Sequence, residues 1–151
     1  MRAIEEIDVR ALRFAEEAHR GQLDEDGIPV IEHAKAVAKE LETPLERAAA
    51  YLHDVVEDTD VKLEDIRRMF GDELAKIIHL LTYQEDENYV DDYLWYIADD
   101  PVATKVKLAD LWHNIDRDRA HPEKDNKERL RKHEGGVIFL QAYSEYLEDM
   151  I

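Results

Sequence analysis

Apolar residues recur along this chain at helical spacing almost from end to end, and no stretch shows the alternation of a half-buried strand. Ile4, Ile7, Ala11, Leu12, Phe14 and Ala15 mark one apolar stripe on a first helix. Gly21 is placed to end it, with His19 and Arg20 suited to the negative end of its dipole. Residues 22–29 (QLDEDGIP) read as a loop, and Pro29 as the opening of a second helix over 30–42. Thr43-Pro44-Leu45-Glu46 combines an N-cap threonine, a proline at the first helical position and a glutamate at the third, which is a capping box. The third helix that follows has Leu45, Ala48, Ala49, Leu52, Val55 and Val56 as its core face and is predicted to run through Asp58. Shorter helices are predicted over 62–70 and 72–83, on either side of Gly71, and another over 88–98, where Tyr89, Tyr93, Trp95 and Tyr96 concentrate. Asp100-Pro101 repeats the cap-then-proline signal and starts a helix through Asn114. A last helix runs from about 122 to 150, with Gly135-Gly136 as a weak point costing about 1 kcal/mol per glycine. With no repeat, low-complexity tract or linker, these elements predict one all-α domain over residues 1–151.

Composition narrows the chemistry. The absence of cysteine excludes disulfides, thiolate metal sites and cysteine nucleophiles. No run approaches the roughly 20 apolar residues needed to cross a bilayer, and Met1 to Arg10 lacks the apolar core of a signal peptide, so a cytoplasmic address is expected. A net charge of −17 argues against nucleic-acid backbones and anionic membrane surfaces as partners. It leaves room for a small anionic substrate, because a bound cation and a local basic patch can reverse the field in one cleft. Residues 101–133 do carry nine basic side chains against six acidic ones, which reads either as a solvated helix face or as such a patch. The oligomeric state is not readable.

The end of the third helix, Leu52-His53-Asp54-Val55-Val56-Glu57-Asp58, is the first candidate for chemistry. His53 and Glu57 are four apart, as are Asp54 and Asp58, so two polar pairs stack on neighbouring strips. Carboxylates gathered on one wall repel unless a cation or protons intervene, and imidazole with carboxylate suits a divalent metal. The alternative is an ordinary acidic last turn, although acids are disfavoured at that end of a helix dipole. His33, among Ile31, Ala34, Val37 and Ala38, taken alone reads more readily as a satisfied core histidine than as a ligand. Asp110 is a carboxylate in an otherwise apolar helical run and needs something positive beside it, either a basic side chain or a metal.

Five motifs occur in order: Ala18-His19-Arg20-Gly21-Gln22, Gly27-x-Pro29-x-Ile31-x-His33, Leu52-His53-Asp54-Val55-Val56-Glu57-Asp58-Thr59, Phe70-Gly71, and Lys107-Leu108-Ala109-Asp110 with Asn114. Over residues 8–116 this series resembles the HD hydrolase domain of RelA/SpoT-type alarmone enzymes and small stand-alone bacterial HD phosphohydrolases. The resemblance implies a helical fold and one divalent metal, usually Mn²⁺, on His33, His53, Asp54 and Asp110. It further implies that Glu57 and Asp58 position or activate the attacking water and that Asn114 contacts a nucleotide. A carboxylate one turn beyond His53 suits proton abstraction from water, and developing phosphate charge calls for cations, for which Lys107, Arg20 and the 117–132 segment are candidates.

The chain departs from the family pattern around the substrate. Asp24 and Glu25 stand where an Arg-Lys pair helps hold the guanine nucleotide, Val30 and Ala34 replace an aromatic residue and a proline, and Leu111 replaces a basic residue. Removal of the 3′-pyrophosphate from guanosine tetra- or pentaphosphate therefore competes with hydrolysis of another phosphorylated nucleotide or dinucleotide cofactor. Two other classes are a non-catalytic regulatory module on the same fold and an iron-dependent oxygenase. The oxygenase would need a second metal, for which His113 and His121 are the nearby spare histidines.

Overall fold

The computed structural model describes residues 5–84 and 87–150, so Ile4 of the first apolar stripe lies outside the described residues. All the helices and turns predicted above resolve into one helical array around α3 (Pro44–Leu52). Its Ala48, Ala49 and Ala50 are fully buried, and side chains this small let α1 (Ile7–Ala18), α2 (Ile31–Lys39), α6 (Asp72–Leu81) and α8 (Pro101–Ala120) pack around it. The capping box forms as expected: Thr43 Oγ1 accepts from the Glu46 N–H, and Glu46 Oε1 accepts from the N–H of Thr43. This pinned start and the alanine-lined shaft carry the far end of α3, at His53, into the middle of the molecule. Between them lie the short α4 (Val55–Asp58) and α5 (Leu63–Phe70), with Phe70 edge-on to Phe14 of α1.

Five features differ from what the sequence predicts. Pro29 does not open α2; it pairs across the loop with Leu23 in an isolated antiparallel bridge, and α2 begins at Ile31. The third helix does not run through to Asp58. The Ala50 carbonyl, which would receive the Asp54 N–H in a continuous helix, accepts a 2.6 Å bond from the His53 ring instead, and the chain turns before α4 begins. The aromatic stretch opens as a π-helical turn, Tyr89–Leu94, continued by α7 (Trp95–Ala98). Asn88 drives it, with its carbonyl accepting from both Asp92 and Tyr93 and its side chain capping Val90 and Asp91. Finally, α8 continues past Asn114 to Ala120, and α9 (Lys127–Asp149) starts five residues later than Pro122.

Of the Gly135-Gly136 pair, Gly136 is a packing contact, while Gly135 remains the weak point expected of a helical glycine. Gly136 is buried where α9 crosses α8, and a Cβ there would lie 3.1 Å from Leu111 Cδ1 and 3.5 Å from Leu94 Cδ1. Around Gly135 there is open space. Gly136→Leu is therefore expected to destabilise the fold by about 1–3 kcal/mol through overpacking. Gly135→Ala should stabilise it by about 0.5–1 kcal/mol through helix propensity. Urea denaturation of the two variants, with opposite shifts in midpoint, checks the pair.

Candidate metal centre

Three helices bring the central groups together. His33 sits in the first turn of α2, His53 and Asp54 in the turn that breaks α3 from α4, and Asp110 midway along α8. His33, His53 and Asp54 each offer a ligand atom within 4.8 Å of the others. Asp110 completes the group: its Oδ1 lies 2.7 Å from His33 Nε2 and 3.4 Å from His53 Nε2. Two imidazole nitrogens and two carboxylates thus face one point, a donor set for a divalent cation of borderline softness.

A cation also satisfies what this cluster leaves open. His53 donates from Nδ1 to the Ala50 carbonyl, which leaves Nε2 directed at the cluster. That Nε2 is buried and has no hydrogen-bond partner, although Asp54 Oδ2 stands at 3.1 Å. Burial would keep His53 neutral, but Asp54 and Asp110 outweigh it and push its pKa well above the ordinary imidazole range. Asp110 shows the mirror image. Burial raises it, and Lys107 with His53 and His33 overcomes that and holds it well below the usual carboxylate range. The cluster draws positive charge, as a proton or as a metal.

Lys107 is largely buried, with 13% of its side chain exposed, and lies 3.0 Å from Asp110 Oδ2 and 5.1 Å from the centre of the Tyr93 ring. Desolvation would lower its pKa, and Asp110 reverses that, keeping the ammonium charged. Asn114 Nδ2 donates to Asp110 Oδ1 at 3.4 Å from one turn along α8. Beside the cluster opens a polar cavity of about 200 Å³, whose lining includes His53, Asp54, Glu57, Lys107 and Asp110 together with Tyr83, Tyr89, Lys132 and His133. Glu57 stands at its wall. Burial, then Asp54, then Asp58, raise the Glu57 pKa above the usual carboxylate range. Asp58 is raised for similar reasons but lines a separate depression with Gln22 and Thr59. Arg20 is not brought to the cavity; its side chain is 78% exposed and pairs with Glu17 at 2.7 Å.

Most of the basic segment is spent inside the molecule. Arg129 forks onto the buried Asp118 and reaches Glu25 at 3.4 Å, Lys124 pairs with Asp26, Arg119 with Glu134 and Lys105 with Glu46. The acidic loop is therefore paired with Lys124 of the α8–α9 connection and with Arg129 of α9. Lys132 is different. Its ammonium lies 4.2 Å over the Tyr89 ring at the cavity edge. Lys132 belongs to the 117–132 segment expected to supply cations, whereas Tyr89 and His133 carry no sequence signal that sets them apart from an aromatic stripe and a helix face. His113 was noticed only as a spare histidine; its signal is its place three residues beyond Asp110 on the same helix.

Comparison with known proteins gives the family context. A family model described as HD domain matches residues 11–132. Among curated proteins, the chain is 33% identical over 138 residues to the Danio rerio guanosine-3′,5′-bis(diphosphate) 3′-pyrophosphohydrolase MESH1, covering 83% of this chain and 77% of that protein. It is 36% identical over 134 residues to a Synechocystis protein named probable guanosine-3′,5′-bis(diphosphate) 3′-pyrophosphohydrolase, covering 78% of this chain and 18% of that one. It is also 36% identical over 118 residues to a Streptomyces coelicolor GTP pyrophosphokinase, covering 70% and 14%. The chain thus spans less than a fifth of the length of these two bacterial relatives. A solved structure described as a metazoan ortholog of SpoT that hydrolyzes ppGpp superposes with a TM-score of 0.70 at 22% identity, over 95% of this chain and 88% of that one, which shows a shared fold.

Proposed function

The chain belongs to the HD domain family, which implies a divalent metal, and from that premise we propose that it is a metal-dependent phosphohydrolase acting on a guanosine 3′-pyrophosphate nucleotide. The observation that carries the reading is the convergence of His33, His53, Asp54 and Asp110 around a buried, unpartnered His53 Nε2. These four side chains would hold the metal, with Mn²⁺ matching the mixed nitrogen and oxygen donors. A cation held there supplies Lewis acidity toward a phosphoryl oxygen and toward water.

The remaining work falls to the chain's own side chains. Glu57 accepts the proton of the attacking water; its carboxylate is at the cavity wall and its raised pKa makes it a better base than an ordinary glutamate. Asp58 supports this from beside it, helping to keep that pKa high. Lys107 fixes the Asp110 carboxylate in place, and Asn114, which does not line the cavity, steadies its other oxygen. Lys107 is thus the substrate-side cation, Asn114 acts through Asp110, and Arg20, which faces solvent, takes no part. The small polar cavity is sized for phosphoryl groups, with the nucleoside outside it.

One observation favours a second substrate reading within the same chemistry. Asp24 and Glu25 replace the basic pair expected at a guanine nucleotide, and Glu25 is turned toward Arg129. A panel of guanosine tetraphosphate, guanosine pentaphosphate and phosphorylated dinucleotide cofactors, incubated with Mn²⁺, separates them. Pyrophosphate release from the guanosine nucleotides that Asp54→Ala abolishes is the expected result. Phosphate release from the dinucleotides alone would replace the substrate and keep the reaction class. Metal uptake without turnover of any of them would make the protein a binding module.

A further inference from the structure

The two histidines of the proposed metal set are held from behind in different ways. His53 uses Nδ1 to donate to a backbone carbonyl, which fixes its tautomer with the lone pair on Nε2. His33 also turns Nε2 to the cluster, 2.7 Å from Asp110 Oδ1, but its Nδ1 meets no carbonyl or carboxylate. It meets His113 Nδ1 at 2.6 Å, with the two rings 4.7 Å apart and tilted by 42°. Two Nδ1 atoms at that distance share one proton: one donates and the other accepts. A His33 that binds a cation through Nε2 must carry its proton on Nδ1, so His113 has to be the acceptor, neutral and protonated on Nε2.

We propose that His113 is a positioning residue for the metal centre, an imidazole acceptor that orients the His33 ring and selects its ligating tautomer. The inference rests on the metal reading above and concerns a residue outside the proposed ligand set. His113 does not join that set: His33, His53 and Asp54 supply the convergent atoms, and the His113 nitrogen nearest them is turned to His33. Its placement is secured by α8, where it lies one turn after Asp110, so one helix carries both a proposed ligand and the support for another. Outer partners of this kind set ligand orientation and basicity, and their loss weakens metal binding by about 10–100-fold.

The test uses a diamagnetic cation for the spectra and Mn²⁺ for the affinity. Without metal His33 Nε2 donates to Asp110 Oδ1; in long-range ¹H–¹⁵N spectra of the Zn²⁺-loaded wild-type protein His33 is expected to carry its proton on Nδ1 and His113 on Nε2. His113→Phe keeps the ring volume and removes the acceptor; Mn²⁺ affinity, measured by competition with a chelator, should fall about 10–100-fold. His113→Asn places a carbonyl oxygen where Nδ1 was and should restore the affinity to within about threefold, as a retained acceptor predicts. Unchanged affinity in His113→Phe overturns the proposal. Should that variant not fold, a His113 protonated on Nδ1 in the Zn²⁺-loaded wild-type protein overturns it equally. A wild-type protein that takes up neither cation defeats the metal reading, and the ligating role of His33 with it.

Discussion

Glu57→Gln is expected to keep its metal and lose about 10²–10⁴-fold in turnover, the range for removal of a positioned general base. The substitution keeps shape and removes only the proton acceptor. Glu57 is not among the four proposed ligands, so Mn²⁺ affinity should be unchanged within error. A second, opposite effect accompanies the first. The folded protein raises the Glu57 pKa through burial, Asp54 and Asp58. A carboxylate raised on folding opposes folding while ionised, and that penalty is relieved as pH falls through its folded pKa. Glu57→Gln removes the charge at all pH values and should therefore raise the thermal midpoint of the metal-free protein at neutral pH. Full activity in Glu57→Gln rejects the assigned role; lost activity together with lost metal would place Glu57 among the ligands.

Asp110→Ala is expected to do more damage than the loss of one ligand accounts for. Asp110 serves the proposed metal through Oδ1 and anchors the buried Lys107 ammonium through Oδ2. Removing one partner of a buried ion pair strands the other, at a cost of about 3–5 kcal/mol. Urea denaturation of the metal-free variant isolates that cost from any loss of metal. Asp110→Ala, Lys107→Met should recover much of the stability, because no charge is then left buried, without recovering Mn²⁺ binding. The pH dependence has a definite sign. Asp110 is depressed on folding, so its contribution is present above the unfolded carboxylate pKa and is lost as pH falls through its folded one. Lys107 is raised, so its contribution is present below the unfolded lysine pKa and is lost as pH rises through its folded one. Across neutral pH both are fully in force. If the single variant is no less stable than wild type, the ion pair is not the support described.

Much of this was readable in the chain because the deciding forces were local. The Thr43–Glu46 capping box and the Asp100-Pro101 start depend on residues within one turn, and both helices begin where the sequence placed them. His33, His53, Asp54 and Asp110 were assembled from a family resemblance, since nothing local tells a buried histidine at 33 that it will meet an aspartate 77 residues later. What escaped the reading depends on geometry between or within turns. The break after Leu52 arises from a histidine ring taking its own helix's carbonyl, and the π-helical turn at Tyr89–Leu94 from one asparagine feeding two N–H groups. The acidic loop reads as a missing substrate contact until Arg129 and Lys124 are seen across from it.

That pairing has a kinetic consequence. With Lys124 and Arg129 paired to the loop, two of the nine basic side chains of residues 101–133 no longer draw a polyanion inward from a distance, while the chain as a whole stands at −17. A nucleotide with several negative charges approaches against the long-range field and meets favourable charge only at the cavity itself. Screening acts beyond about 10 Å at 0.1 M salt and so weakens the repulsion before the short-range contacts. Added salt should thus speed capture, with kcat/KM rising between low and moderate ionic strength, the reverse of an electrostatically steered enzyme. Divalent-complexed nucleotide, carrying less charge, should be taken up faster than the free form.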